Sequence, residues 1–142
     1  AGALAQPADV RVVVSSIQIL ARDHGFEKWH NFPHERARLL DMIGARTGGA
    51  VVLLSGDRHF SAFYHDLEAD DGRGLIEMTS SSLNIPWLAA AEQDALQTGP
   101  PYAKTGSFGL LRIEPAAASI SLQIRDTANN IVSEKTVAIP KD

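Results

Sequence analysis

The polar residues Gly56-Asp57-Arg58-His59 follow an apolar run at positions 50–54, and their types could do chemistry. Asp57 offers carboxylate oxygen, His59 offers imidazole nitrogen, and Arg58 offers a guanidinium that can hold an anion through two hydrogen bonds. Together these groups suit a phosphate bound to a metal ion. Taken alone, an Asp-x-His sequence after a strand is more often a turn in which Asp bonds its own backbone.

The apolar run before these residues predicts the element that positions them. Five consecutive apolar residues at 50–54, closed by Ser55 and Gly56, are typical of a strand buried on both faces. Polar residues released from the C-terminal end of such a strand are where α/β proteins usually place chemistry. Gly56 lacks a Cβ atom, so we expect a sharp turn there or a close approach of the backbone to a ligand.

A second informative stretch covers residues 29–36, with the sequence WHNFPHER. Pro33 predicts the start of a helix that continues to about residue 46, because its missing N–H does no harm in a first turn. A cation at Arg36 opposes the helix dipole. The position therefore suggests a carboxylate, a phosphate or an aromatic ring as its partner, although a solvent-facing arginine fits equally well. Asn31 either caps the helix or faces the site.

Size and composition limit the possible functions. The chain has 142 residues, 44% of them hydrophobic, and 13 basic against 17 acidic residues give a net charge of −4. We therefore predict one domain over residues 1–142, with neither nucleic acid nor a membrane as its main partner. The sequence has no cysteine, which excludes disulfides and thiolate metal sites.

The remaining patterns predict an α/β protein with a mixed sheet, one main helix at about 33–46 and a C-terminal antiparallel β-sheet. A second buried strand is expected at 10–20, and a short helix is expected at about 88–96. Residues 98–106, which include two prolines, are expected to form a loop. Further strands are expected at 61–67, 75–79, 108–114, 119–125 and 131–139.

Several segments, in this order, resemble the PhoD-like (alkaline phosphatase D type) metallophosphatases of the calcineurin-like metallophosphoesterase superfamily. They are SSIQIL, W-x-N-x-P-x-x-x-R opening a helix, VVLLSGDRHF, EMTSSSLN and GSFGLLRIE. The resemblance spans about residues 12–139. It implies a phosphomonoesterase or phosphodiesterase with two metal ions in a four-layer α/β/β/α sandwich, of which this chain is the C-terminal portion.

The resemblance also implies roles for individual residues. In that superfamily a late Gly-His-x-His strand end supplies metal ligands, and its counterpart here begins at Gly56. By position, His59 is a ligand, and Asp57 binds the other metal or orients a ligand, which makes both of them catalytic. Arg58, Arg36 and Asn31 become candidates for contacts to substrate.

The implied cofactors are two divalent or trivalent metal ions, with Ca, Fe, Mn and Zn as possible identities, and the implied substrate is a phosphate ester. Members of the family are often exported, so the resemblance suggests a periplasmic or extracellular location.

The sequence lacks part of what such a site needs. Two metal ions about 4 Å apart require a bridging carboxylate and ligands on both sides. The family motifs that supply these groups come earlier in the chain, and none precedes Val10. We therefore expect the C-terminal part of such an enzyme, left by cloning, proteolysis or gene truncation. We also expect its exposed apolar sheet face to be covered by the missing N-terminal half or by self-association.

Two other functions are compatible with the sequence. A catalytically inactive, β-rich module could use the C-terminal sheet and its edges for binding or assembly. A serine hydrolase fits less well, because no serine has a catalytic base at a recognisable spacing.

Overall fold

The computed structural model describes residues 2–87 and 94–140. Two short 3-10 helices occupy Trp29–Asn31 and Pro115–Ala117. The helices and strands are α1 (Gly2–Ala5), β1 (Val10–Val14), α2 (Pro33–Gly44), β2 (Ala50–Ser55), β3 (Ser61–Asp66), β4 (Leu75–Ser80), β5 (Gln97–Tyr102), β6 (Ser107–Glu114), β7 (Ser119–Asp126) and β8 (Ile131–Ala138).

The strands form two sheets. The first is a mixed five-stranded sheet in the order β1-β2-β4-β3-β5, and the second is a three-stranded sheet in the order β6-β7-β8. Strands β1, β2 and β4 run parallel, whereas β3 is antiparallel to both of its neighbours. The second sheet is antiparallel throughout. The predicted mixed sheet and C-terminal antiparallel sheet are therefore confirmed.

Two apolar clusters show how the elements stack into layers. On one face of the first sheet, Val51 and Leu53 pack with Ile43 of α2. On the opposite face, Val52 packs with Ile120 and other residues of the second sheet. The described residues thus form three layers, with a helix and loops on one side, the mixed sheet in the middle and the second sheet on the other side.

Most element boundaries agree with the sequence predictions. Helix α2 ends two residues before the predicted limit of 46, and six of the predicted strands lie within one residue of those observed. Most of the short helix expected at 88–96 lies outside the described residues. None of the helices in the described part of the chain is long and apolar enough to cross a membrane.

The strand predicted at 10–20 is wrong beyond Val14. The chain leaves the sheet there, yet Ile19 and Leu20 are fully buried. Their N–H groups donate to the two carboxylate oxygens of Glu77, at 2.9 and 2.7 Å. A side chain of β4 thus satisfies the backbone groups that a neighbouring strand would otherwise bond, which allows an apolar run to be buried outside a sheet.

The loop predicted at 98–106 is wrong over residues 98–102, because β5 occupies Gln97–Tyr102, and it is confirmed over residues 103–106. Pro100 and Pro101 lack backbone N–H groups, which suggested a loop. Strand β5 lies at the edge of the sheet, where only one side of a strand needs hydrogen-bond partners. Proline is tolerated in such a position.

The opposite edge of the sheet is formed by β1 and carries exposed apolar side chains. Val12 is 40% exposed and Val14 is 73% exposed. Both side chains belong to an edge strand, whose outer side has no neighbouring strand among the described residues.

Candidate functional site

The polar residues that follow the parallel strands of the first sheet lie together at the carboxyl ends of those strands. After β1, the Ser15 N–H donates to the Leu54 carbonyl at 2.9 Å. After β2 and β4, the His59 N–H donates to Ser81 Oγ at 2.9 Å. The carboxyl ends of β1, β2 and β4 therefore place these segments side by side, as expected for a site in an α/β sheet.

The turn after β2 has an unusual backbone. The Arg58 N–H donates to the Gly56 carbonyl at 2.9 Å, and the residue between them, Asp57, has φ 70°. His59 has φ 56°. Positive φ values are uncommon outside glycine and store strain, which tends to occur at functional sites.

A sharp turn or a close approach to a ligand was expected at Gly56, whereas the left-handed bend lies at Asp57. Gly56 is not among the residues with positive φ. A Cβ atom built on it would lie 3.6 Å from both Ser16 O and Ser81 Cβ, which is ordinary contact. The conformational freedom of glycine is therefore not needed for this turn.

The His59 side chain is exposed, and its tautomer is fixed by a backbone contact. His59 Nδ1 lies 3.0 Å from the carbonyl oxygen of Ile85. Because a carbonyl can only accept, Nδ1 carries a proton, and in the neutral ring Nε2 is then the nitrogen with the lone pair. Metal-binding histidines in proteins are commonly oriented by such a hydrogen bond from the second ring nitrogen.

Arg58 points inward between its two exposed neighbours. It is 3% exposed, and its guanidinium carbon lies 4.4 Å from the ring centre of Phe26 and 5.4 Å from that of Phe60. A guanidinium is attracted to the face of an aromatic ring at these distances. The setting of the Arg58 guanidinium is therefore buried, with aromatic rings beside it.

Arg36 also contacts the protein itself. Its Nε donates to the Ile19 carbonyl at 2.8 Å, and its second terminal nitrogen donates to the Leu20 carbonyl at 3.4 Å. Burial lowers the pKa of Arg36. The structure thus gives Arg36 backbone carbonyls as partners, and it holds the segment after β1 against α2.

Asn31 belongs to the loop before α2. Its Oδ1 accepts from Lys28 Nζ at 3.0 Å, and its Nδ2 donates to the Phe26 carbonyl at 3.3 Å. Asn31 makes no side-chain cap for the helix, because α2 begins without one. Through the Phe26 carbonyl it is linked to the residue whose ring lies against Arg58.

A chain of buried polar side chains begins directly before the turn, at Ser55. The Ser55 and Thr79 hydroxyls lie 2.9 Å apart, and Gln18 Nε2 donates to the Thr79 hydroxyl at 2.9 Å. Gln18 Oε1 lies 2.8 Å from His24 Nε2. Ser55 also hydrogen-bonds Glu77. This chain connects the loop after β1 to β2 and β4.

Burial shifts the pKa values of the groups in and around this chain. Burial raises the pKa of Glu77, although the Ser55 hydroxyl and the N–H groups of Ile19 and Leu20 oppose that shift. Burial likewise raises the pKa of Tyr64 to about 12. Glu77 and Tyr64 both lie in the interior of the protein, away from solvent.

Burial lowers the pKa of His24 to about 4. The nearby cations Arg58 and Lys28 act in the same direction, whereas the carboxylates of Asp94 and Asp23 oppose it. His24 is therefore neutral at neutral pH, in keeping with the hydrogen-bond chain in which it takes part.

The low pKa of His24 predicts a loss of stability in mild acid. In the unfolded chain, His24 takes up a proton near the ordinary histidine pKa of about 6.5. In the folded chain, His24 takes up that proton only near pH 4. Between these values protonation favours the unfolded state. From about pH 7 to about pH 5 we expect His24 to account for a loss of about 2 kcal/mol of unfolding free energy.

Urea unfolding at the two pH values measures this loss, with a His24→Gln variant as the control. The variant cannot be protonated at this position, so its stability is expected to fall less over the same interval. An equal fall in the two proteins would contradict the prediction.

Sequence reasoning missed Ile85, Trp87 and Phe26. The Ile85 carbonyl sets the His59 tautomer, and the Trp87 N–H donates to the His59 carbonyl at 2.7 Å. Phe26 lies against Arg58. The contacts of Ile85 and Trp87 with His59 involve their backbone atoms, which leave no signature in residue type. For the rings of Phe26 and Trp87, the sequence offers only their aromatic residue type.

The donor groups of this turn fit one side of a metal site. Asp57 and His59 are exposed and offer carboxylate oxygen and imidazole nitrogen, which suit ions such as Zn, Fe or Mn. Within residues 2–87 and 94–140, however, no group of three or more His, Asp or Glu residues could hold a metal ion. The described residues therefore do not complete a two-metal site.

Comparison with known proteins connects the chain to PhoD through its fold. No family model and no curated protein matches the sequence. The solved structure of PhoD matches with a TM-score of 0.65 at 15% sequence identity. The match covers 92% of this chain and 28% of the PhoD chain. At that level of identity the similarity shows the fold alone, and the chain has a PhoD-like fold.

Proposed function

We propose that this chain supplies one side of the active site of a metal-dependent phosphatase that hydrolyses phosphate mono- or diesters. The observation that carries the proposal is the setting of His59, whose Nδ1–H donates to the Ile85 carbonyl and leaves Nε2 available to a metal ion. Asp57 offers a carboxylate from the same exposed turn. The PhoD-like fold supports the assignment to phosphatases.

In this proposal His59 holds one metal ion through Nε2, and Asp57 binds a second ion or orients a ligand. Metal ions in such a site supply positive charge for the phosphate oxygens and lower the pKa of a water molecule. The bridging carboxylate and the remaining ligands come from polypeptide outside these residues or from a second copy of the chain. Arg58, Arg36 and Asn31 are the candidates for contacts to substrate in this proposal, and each of them already makes the protein contacts described above.

The direct test is the metal content of the purified 142-residue chain, prepared without chelator and measured by elemental mass spectrometry. Hydrolysis of an aryl phosphate monoester and diester is measured on the same sample, and light scattering gives the number of chains per particle. We expect a substoichiometric metal content and weak turnover for the isolated chain, with both rising when the missing ligands are supplied by a longer form of the protein.

The two extreme results separate the possibilities. About two metal ions per chain with turnover, in a particle of two chains, would mean that a second copy completes the site. No metal and no turnover, in both the isolated chain and the longer form, would overturn the proposal and favour an inactive binding or assembly module.

A further inference from the structure

We propose that Phe26 is a positioning residue for His59. Its ring lies between the Arg58 guanidinium and the Trp87 indole and so holds the segment that orients the His59 imidazole. The catalytic meaning of this role rests on the proposed function, whereas the positioning itself can be measured without metal or substrate.

The ring of Phe26 joins two parts of the chain that are distant in sequence. The Arg58 guanidinium carbon lies 4.4 Å from its centre, and the Trp87 ring meets it edge-on, with centroids 5.2 Å apart and planes at 88°. Cations prefer the face of an aromatic ring, and aromatic pairs favour this edge-to-face arrangement. The ring therefore has a preferred contact with each partner.

The segment held by Trp87 contacts His59 at three atoms. The Trp87 N–H donates to the His59 carbonyl at 2.7 Å, and the Ile85 carbonyl accepts from His59 Nδ1 at 3.0 Å. Ser81 Oγ accepts from the His59 N–H at 2.9 Å. Because Ile85 lies between Ser81 and Trp87, fixing Trp87 against Phe26 fixes the carbonyl that selects the His59 tautomer.

Phe26 is itself anchored independently of that segment. Its N–H donates to His24 Nδ1 at 3.2 Å, and His24 is linked through Gln18 to β4. Its carbonyl accepts from Lys28 Nζ and Asn31 Nδ2, each at 3.3 Å. These backbone contacts hold the loop whatever the side chain at this position is.

Because the Phe26 side chain is exposed, its effect on the position of His59 can be measured apart from its effect on stability. The residue is 42% exposed, and it is not part of either buried cluster. Replacing the ring with a smaller apolar side chain is therefore expected to leave the fold intact while removing both aromatic contacts.

The test compares Phe26→Leu with the unchanged 142-residue protein by NMR of the histidine ring nitrogens, at a pH where histidines are neutral. The His59 signals are assigned by their absence from His59→Gln. In the unchanged protein we expect His59 to be protonated mainly at Nδ1. In Phe26→Leu we expect the ratio of the two tautomers to shift about three- to tenfold toward Nε2–H, as for the loss of one hydrogen bond.

Two further variants make the result specific. Phe26→Tyr keeps an aromatic ring and is expected to retain the original tautomer ratio. Phe32→Leu, at a phenylalanine that is 56% exposed just before α2, is expected to leave it unchanged. If Phe26→Leu does not fold, Trp87→Leu removes the same ring contact from the other side and is expected to shift the ratio in the same direction.

An unchanged ratio in folded Phe26→Leu, or an equal shift in Phe32→Leu, would overturn the positioning role. The outcome is independent of the metal measurement. A shifted tautomer ratio in a protein that never binds metal would support the positioning role of Phe26 and overturn the proposed function. Metal-dependent turnover with an unchanged ratio would support the proposed function and overturn the positioning role.

Discussion

A Glu77→Leu variant is expected to lose about 2 kcal/mol or more of unfolding free energy. Glu77 is fully buried, and its two oxygens accept the N–H groups of Ile19 and Leu20. Leucine offers no acceptor, so both donors are left buried without a partner, and each such donor costs about 1–3 kcal/mol. The loss is large relative to the total stability of a domain of this size, which is about 5–15 kcal/mol.

Urea unfolding followed by circular dichroism measures this loss, and two controls define its origin. Glu77→Gln keeps the size and one acceptor oxygen, so its stability is expected to lie between that of Glu77→Leu and that of the unchanged protein. Glu68→Leu removes an exposed carboxylate shortly after β3 and is expected to change stability by about 0.5 kcal/mol or less. A Glu77→Leu protein within about 1 kcal/mol of the unchanged one would refute the account.

A His59→Ala variant is expected to lose more than about 100-fold in phosphatase turnover, measured in the form of the protein that carries a complete site. Residues that only orient a metal ligand already affect metal affinity or activity by about 10- to 100-fold, so removal of a ligand should exceed that range. The affected quantity is the rate of hydrolysis of an aryl phosphate ester at saturating metal.

The matched control is His30→Ala, at an exposed histidine in the 3-10 helix Trp29–Asn31. It changes the same residue type outside the turn and is expected to retain turnover. Metal content is measured on both variants, because loss of turnover together with loss of bound metal is the result that a ligand predicts. Full activity in His59→Ala would remove His59 from the site.

The elements that could be predicted from the sequence are those whose signal is local. An uninterrupted apolar run defines β2, a proline at the first position opens α2, and strict alternation of apolar and polar residues marks β7, with Ile120, Leu122 and Ile124 buried. Each of these patterns reports the burial of its own residues, so no knowledge of the rest of the chain is needed.

The two wrong predictions, a strand beyond Val14 and a loop in place of β5, concern segments whose burial or strand pairing depends on residues distant in the sequence. The segment after Val14 is apolar like a strand, but its backbone bonds a carboxylate that lies far along the sequence, in β4. Strand β5 contains two prolines, and whether they are tolerated depends on its place at the sheet edge. Neither the position of Glu77 nor the strand order can be inferred from local periodicity.

The candidate site was only partly predictable, for a similar reason. Residue types and their place after β2 were enough to single out Asp57 and His59. The inward direction of Arg58 depends on Phe26, and the tautomer of His59 depends on a backbone carbonyl at Ile85. Both partners come from other segments that reach the turn only after folding.

The left-handed conformations of Asp57 and His59 bear on any attempt to engineer this chain. Glycine is the residue that best tolerates positive φ, so a search for more stable variants is biased toward glycine at these two positions. Each such replacement would relieve backbone strain and delete one of the proposed metal donors. Optimisation of thermal stability and preservation of the site therefore oppose each other at two positions of the same turn.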